Sequence, residues 1–163
     1  MEKREVVKVG IAEMNVVKRP FSIRTSGLGS CVAIVVYDTK NSLAGLAHVM
    51  LPDSTLAKYT NLNKAKYVDT AIPVLIHTLL ENGAKRESLK AKIAGGSEMF
   101  KFTSNELMRI GPRNVEAVNI HLQKYRVPVI SSDVGGSNGR TVEFNTVSNL
   151  LVIKTASKRM KEI

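Results

Sequence analysis

The sequence predicts a mixed α/β domain with six or more strands and two helices. Short apolar runs of strand length are bounded by turn residues, and two longer stretches repeat apolar residues at helical spacing. The chain has 163 residues and is 44% hydrophobic, which suits one domain with a buried core. Because neither an internal repeat nor a linker interrupts the pattern, we expect a single domain over residues 1–163.

Four strand-like runs occupy the N-terminal part of the chain. They are residues 5–9, 21–25, 32–37 and 43–50. The apolar pair Val16 and Val17 is expected to lead into a loop that ends at Pro20. A polar link over residues 38–42 separates the last two runs, which predicts an antiparallel hairpin with its turn centred near Lys40 or Asn41.

The rest of the chain alternates helical and strand patterns. A helix is predicted over residues 67–80 with Gly83 as its stop signal, and Pro73 must either kink this helix or lie in its first turn. A second helix begins at Gly111-Pro112 and ends near residues 124–126. We expect a helix in the basic tail, residues 156–163. Strands are predicted at residues 89–94, 127–132, 140–145 and 149–155, and apolar cover from Met99, Phe100 and Phe102.

Composition limits the class of partner and the compartment. The net charge of +10, from 24 Lys+Arg against 14 Asp+Glu, attracts polyanions or acidic proteins. The basic residues are scattered and no nucleic-acid-binding motif is present, which favours an acidic protein partner over nucleic acid. The charged N-terminus lacks the apolar core of a signal peptide, and no apolar run could cross a bilayer. We therefore expect no membrane insertion and a cytoplasmic protein.

The best candidate for chemistry is the pair formed by Cys31 and His48. As the only cysteine, Cys31 excludes an internal disulfide and a multi-cysteine zinc site. It begins one strand of the predicted hairpin and His48 lies near the end of the other, so strand pairing brings thiol and imidazole together. A neighbouring imidazole can take the proton of a thiol and activate it as a nucleophile. His77 and His121 have no such partner signal and are expected to be structural or exposed.

A glycine-rich turn over residues 26–30 directly precedes Cys31. Such a turn can aim backbone N–H groups at a developing oxyanion, and here Gly29 and Ser30 are the candidates. A third group should orient the imidazole of His48. The residues alone leave four candidates open: Thr25, at the end of the strand that enters the turn, and Ser26, Ser30 and Asp53.

Several motifs support a comparison with known families. The most specific are GLGSCV at residues 27–32 and HVMLP at residues 48–52. Further segments are residues 66–73, 92–100, 110–115 and 133–140. Together they closely resemble the CheD family of chemoreceptor glutamine deamidases, over about Val9 to Lys154.

The resemblance implies an enzyme that converts glutamine side chains on chemoreceptor cytoplasmic helices to glutamate, with release of ammonia. The family's cysteine, histidine and threonine fall on Cys31, His48 and Thr25, and neither a metal nor an organic cofactor is implied. The family's fold is similar to the catalytic domain of deamidating bacterial toxins, an α+β arrangement of layered mixed β-sheets flanked by helices. The chain departs from the family at Ser97, where alanine is frequent.

The resemblance also implies a protein partner, because many members bind the chemotaxis phosphatase CheC. One alternative to a deamidase is therefore a module that docks on CheC and activates it, with catalysis secondary; docking would need surface residues but not Cys31. Charge alone suggests the other alternative, a basic nucleic-acid-binding protein. Such a protein would bind random oligonucleotides at physiological salt.

Overall fold

The computed structural model describes residues 5–57, 62–98, 109–157 and 159–163. The apolar cover predicted from Met99, Phe100 and Phe102 lies outside these residues. Within them the chain forms ten strands and two α-helices. The strands are β1 Val6–Lys8, β2 Met14–Lys18, β3 Ser22–Leu28, β4 Val32–Asp38, β5 Leu43–Val49, β6 Lys90–Gly95, β7 Val129–Val134, β8 Arg140–Asn145, β9 Leu150–Thr155 and β10 Met160–Glu162. The helices are α1 Val68–Glu81 and α2 Ile110–Lys124.

The strands form two five-stranded sheets. Sheet A has the order β1-β3-β8-β9-β10, and sheet B has the order β2-β5-β4-β6-β7. β1 is parallel to β3 and β6 is parallel to β7, whereas the other neighbouring pairs are antiparallel. Both sheets are therefore mixed, and together with the two helices they confirm the predicted α+β class with layered sheets.

Sheet B is the middle layer of the molecule, because it packs apolar side chains on both faces. Alternate residues of β4 and β5 pack against sheet A, in a core that includes Phe144 and Leu151. The intervening residues pack against α1 and α2, in a core that includes Leu75 and Leu122. Every residue of β4 and β5 is buried, which explains why the first of them has a continuous apolar sequence.

The helices begin and end close to the predicted positions. α1 begins at Val68, so Pro73 lies inside the helix and beyond its first turn. The apolar face of α1 packs on sheet B and buries Ala71, Ile72 and Leu79. No helix in the described part of the chain is long and apolar enough to cross a membrane.

Two local predictions were wrong and one strand was missed, each because tertiary pairing decides the backbone. The missed strand is β2, which includes Val16 and Val17 before the turn at Arg19-Pro20 and pairs with β5 from Met14↔Ala47 to Lys18↔Leu43. The predicted turn after Thr25 begins late, since β3 continues to Leu28 with an irregular register against β8. The basic tail contains strand β10, which pairs antiparallel with β9, and not the expected helix.

Candidate active site

The β4–β5 hairpin places Cys31 and His48 on one face of sheet B. The register pairs Ala33 with His48, and the turn is centred between Lys40 and Asn41, so the predicted hairpin is confirmed. Directly opposed residues share a face of a sheet, as do residues two apart on one strand. Cys31, two residues before Ala33, therefore lies on the same face as His48, against the core between the sheets.

Thr25 determines which nitrogen of His48 carries a proton. Its Oγ1 lies 2.7 Å from His48 Nδ1 and 2.7 Å from the backbone oxygen of Val9. A carbonyl oxygen only accepts, so the single hydroxyl hydrogen of Thr25 is donated to Val9. Thr25 Oγ1 must then accept from His48, which puts the ring proton on Nδ1 and leaves a free lone pair on Nε2.

Burial favours the uncharged forms of both His48 and Cys31. His48 is fully buried, and its Nε2 has no hydrogen-bond partner among the described residues. Burial lowers the pKa of the His48 imidazole, which favours the neutral ring. Burial also raises the pKa of the half-buried Cys31 thiol, outweighing the hydrogen bond from its own amide. The arrangement therefore suits a general base that takes the thiol proton during attack.

A glycine turn at the end of β6 supports the backbone of Cys31. The N–H of Gly96 donates to Cys31 O at 2.9 Å, and the N–H of Ser97 donates to Gly29 O at 2.8 Å. Gly95 and Gly96 have φ of +116° and +68°, a region that favours glycine. A Cβ on Gly95 would lie 2.2 Å from Cys31 O. Glycine at this position therefore allows β6 to approach Cys31.

Two adjacent backbone amides beside the sulfur are candidates for binding an oxyanion. Within the described ranges, neither the N–H of Ser30 nor that of Cys31 donates to another residue. The N–H of Gly29, a predicted donor, is instead directed at Gly27 O, 3.2 Å away. The turn therefore offers the amides of Ser30 and Cys31 for this task, and not that of Gly29.

The other candidates for orienting His48 lie elsewhere. Ser26 is exposed, and Asp53 caps a short 3₁₀ helix by accepting from the N–H of Thr55 at 2.8 Å. Of the four candidates, Thr25 alone contacts His48 in the described part of the chain. His77 is exposed and pairs with Glu81 at 2.8 Å, and His121 lies on α2.

Sequence reasoning missed two groups that contact the site. One is the carbonyl of Val9, which a sequence cannot single out because every residue has a carbonyl. The other is Asn114 on α2, which donates to Ser30 O at 3.0 Å and to Met50 O at 2.9 Å. Its signal is a polar residue one helical turn before Val118, on the buried face of α2.

A buried arginine fixes the glycine turns relative to each other. Arg140 donates from Nη1 to Ser97 Oγ at 2.8 Å, from Nη2 to Gly135 O at 2.8 Å and from Nε to Asp133 Oδ2 at 3.2 Å. Nη1 also lies 3.3 Å from Gly95 O. Ser97, where the chain departs from the resembled family, therefore belongs to a network that steadies the turn beside Cys31.

Comparison with known proteins identifies relatives along the whole chain. The family model described as CheD chemotactic sensory transduction matches residues 50–155, a range that begins after His48. The chemoreceptor glutamine deamidase CheD of Halalkalibacterium halodurans is 56% identical over 160 residues, which are 98% of this chain and 99% of that protein. The protein of the same name from Bacillus subtilis is 55% identical over 159 residues, covering 97% of this chain and 96% of that protein.

One solved structure is similar at the level of the fold. It is Neisseria meningitidis protein NMB0706, with a TM-score of 0.49, 10% sequence identity and coverage of 82% of this chain and 65% of that chain. At this distance the likeness says nothing about the site.

Proposed function

The chain belongs to the CheD family, and from this we propose that it deamidates glutamine side chains of chemoreceptors to glutamate. In this proposal Cys31 is the nucleophile, His48 is the general base and Thr25 orients the imidazole. The observation that carries it is the hydrogen-bonded series Val9 O, Thr25 Oγ1 and His48 Nδ1, which leaves Nε2 as a proton acceptor on the face that Cys31 shares.

The first half of the reaction forms a thioester. His48 Nε2 takes the proton of the Cys31 thiol as the sulfur attacks the carboxamide carbon, and the electron pair of the C=O bond moves to oxygen. The amides of Ser30 and Cys31 stabilise this oxyanion, an effect worth roughly 3 kcal/mol per donor in other enzymes. The oxyanion then reforms the carbonyl, the C–N bond breaks, and the imidazolium of His48 protonates the leaving ammonia.

The second half returns the enzyme to its starting state. His48 Nε2 takes a proton from water as the water oxygen attacks the thioester carbon. The C–S bond breaks, the Cys31 sulfur regains its proton from His48, and the substrate leaves as glutamate. The sum is one carboxamide and one water converted to one carboxylate and one ammonium ion, so the scheme calls on no metal or organic cofactor. We place this reaction in the cytoplasm, on receptor cytoplasmic helices, within a single domain.

The direct test is mass spectrometry of a receptor cytoplasmic fragment after incubation with the enzyme. Wild type should convert glutamine to glutamate at defined sites, and Cys31→Ala and His48→Ala should not. Because both variants remove side chains next to the core, circular dichroism must show that each is folded. Folded wild type that leaves every glutamine unchanged, on receptors from the same organism, would overturn the proposal.

We also propose CheC as a partner, on the resemblance of the sequence alone. Docking depends on surface complementarity and not on the thiol, so Cys31→Ala should bind CheC as tightly as wild type does. A pull-down with purified CheC from the same organism tests this, with equilibrium titration of both forms. Absence of binding by folded wild type would remove CheC as a partner and leave the deamidase proposal untouched.

A further inference from the structure

We propose that Asn114 is a positioning residue, which fixes the direction of the Cys31 amide so that this amide binds the oxyanion. The inference rests on the proposed deamidation. It starts from the burial of Asn114, whose side chain is fully buried on α2, in the layer behind sheet B. Burying a side-chain amide costs free energy unless its polar atoms are hydrogen-bonded, so the contacts of Asn114 indicate its role.

Asn114 ties together the two segments that carry the reactive residues. Its Nδ2 donates to Ser30 O, directly before Cys31, and to Met50 O, two residues after His48. Both hydrogens of the side-chain amide are thereby used. Its Oδ1, in contrast, is buried with no partner among the described residues. The side chain therefore makes only its two donor bonds, both to the open end of the hairpin.

Because the peptide unit is rigid, the hydrogen bond from Asn114 to Ser30 O also fixes the direction of the Cys31 N–H. Ser30 C=O and Cys31 N–H belong to one planar trans peptide unit, in which they point in opposite directions. With Ser30 O held toward Asn114 on the helical side, Cys31 N–H points away from α2. That direction leads away from the helical layer, toward the position of Gly96, opposite Cys31 at the end of the ladder of β4 with β6.

No carbonyl of the neighbouring strand β6 accepts a hydrogen bond from the Cys31 N–H. β4 pairs with β6 at Val32↔Gly95, so a continued ladder would join Cys31 to Gly96 by two bonds. One is present, from Gly96 N to Cys31 O, but the return bond from Cys31 N is not made. The carbonyl of Gly96 is turned toward α2, since it would lie 2.8 Å from a Cβ on Gly111. The positive φ of Gly96 accompanies this turn and leaves the Cys31 N–H without an acceptor on another described residue.

The test compares two reactions of the same thiol in Asn114→Leu. Deamidation needs the oxyanion donor, whereas alkylation by iodoacetamide displaces iodide at a saturated carbon and forms no oxyanion. We expect kcat for deamidation to fall by about 100-fold, the loss typical of one oxyanion donor, with KM unchanged and alkylation at the wild-type rate. Leucine keeps the branched shape of asparagine, although it is larger, and it cannot donate.

Asn119→Leu is the matched control. Asn119 lies on the same helix and is exposed, and its side chain donates to Val115 O at 3.1 Å, far from the bonds that Asn114 makes, so both reactions should proceed as in wild type. Wild-type kcat in Asn114→Leu would overturn the proposal. An equal fall in deamidation and alkylation would overturn it too, because the Cys31–His48 pair itself would then be displaced.

If Asn114→Leu does not fold, a measurement on the wild-type protein tests whether Asn114 directs the Cys31 amide at the oxyanion. The probe is a peptide with an aldehyde in place of the glutamine carboxamide. The Cys31 sulfur adds to the aldehyde carbon, and the electron pair of the C=O bond moves to the oxygen. The oxygen then takes the thiol proton by way of His48. Nuclear magnetic resonance should show a downfield shift of the Cys31 amide proton and slow exchange of both Asn114 side-chain amide protons. An adduct that leaves the Cys31 amide unshifted, or Asn114 protons that exchange freely, would overturn the inference.

The proposed deamidation and the positioning role of Asn114 can be overturned independently of each other. Wild type without deamidase activity would overturn the proposed function, while the aldehyde adduct would still report the direction of the Cys31 amide. Active wild type with active Asn114→Leu would overturn the positioning role alone.

Discussion

At the scale of single residues, the hydroxyl of Thr25 stands between a carbonyl and an imidazole. It has one hydrogen to donate, and the Val9 carbonyl takes it. Thr25 can therefore only accept from His48, so a neutral residue fixes the tautomer that an aspartate fixes in other triads. A neutral orienting group does not stabilise an imidazolium by charge, in agreement with the lowered pKa of His48.

Thr25→Val removes the hydroxyl while keeping the shape of the side chain. His48 then loses its fixed tautomer and orientation, so we expect kcat for deamidation to fall by about 100-fold with little change in KM. Thr25→Ser keeps the hydroxyl and should retain most of the activity. Steady-state kinetics on a receptor fragment measures both; Thr25→Val at the wild-type rate would contradict the assignment of Thr25.

The pH dependence follows from the burial of His48. The base must be neutral to accept the thiol proton, so the rate falls as pH drops through the pKa of His48. Burial favours the neutral ring and keeps this pKa below its ordinary value of 6.5. We therefore expect kcat/KM to decline in acid with a midpoint below pH 6.5. A midpoint above 6.5 in kcat/KM would contradict a His48 pKa that burial keeps below its ordinary value.

Residue chemistry was predictable from the sequence only in part. Cys31 and His48 could be paired because one hairpin joins them and a strand pairing is a local event. Thr25 could not be chosen from four candidates on the residues alone, since its contact with His48 spans two sheets. Asn114 was missed for the same reason, because its acceptors lie 64 and 84 residues away in the chain.

At the scale of secondary structure, the close approach of β6 to Cys31 depends on Gly95. Gly83 provides a matched comparison, because its φ of +108° is near the +116° of Gly95 but no atom lies within 4 Å of the position of its Cβ. Gly83→Ala should cost about 1–2 kcal/mol in backbone strain alone. Gly95→Ala adds a clash with Cys31 O and should cost more than about 3 kcal/mol.

Urea denaturation measures both costs, and iodoacetamide reports on the site. Gly95→Ala should also change the alkylation rate of Cys31, since the substituted residue must displace its backbone, whereas Gly83→Ala should leave that rate unchanged. Equal destabilisation by the two substitutions would show that the contact with Cys31 has no energetic weight.

The elements with strong local patterns were predicted, and those defined by their neighbours were not. α1, α2 and the β4–β5 hairpin follow from apolar periodicity and turn residues. β2 and β10 are edge strands, whose extended backbone is set by pairing with β5 and β9. Their short sequences carry little periodicity, so β2 was missed and a helix was predicted where β10 lies.

At the scale of the whole molecule, the charge of +10 should steer acidic receptor helices to the site. Lys64 and Lys66 lie in the segment before α1, where Lys66 O accepts from Met50 N at 2.8 Å, close to the end of β5 that carries His48. Reversing both to Glu should weaken receptor binding about tenfold at low salt and reduce its salt dependence. Lys58, six residues before Lys64 in the sequence, lies outside the described residues.

The control for this reversal is Lys40→Glu with Lys85→Glu. It makes the same change in net charge, but Lys40 lies in the hairpin turn at the opposite end of β5, and Lys85 donates its N–H there to Asp38 at 2.8 Å. Binding of the control should stay near wild type. Equal weakening by both pairs would mean that net charge acts without a docking face, and tight binding of random oligonucleotides at physiological salt would point to nucleic acid.

The contact between Thr25 and His48 joins sheet A to sheet B, so the reactive centre exists only when the two sheets have closed on each other. The β4–β5 hairpin can bring the thiol and the imidazole together earlier, but at that stage the ring is free to rotate and to exchange its proton between nitrogens. If Thr25 orients His48 as proposed, we expect a partly unfolded chain, in which the two sheets have not closed, to lack deamidase activity. Closure of the two sheets would then be the step of folding at which activity appears.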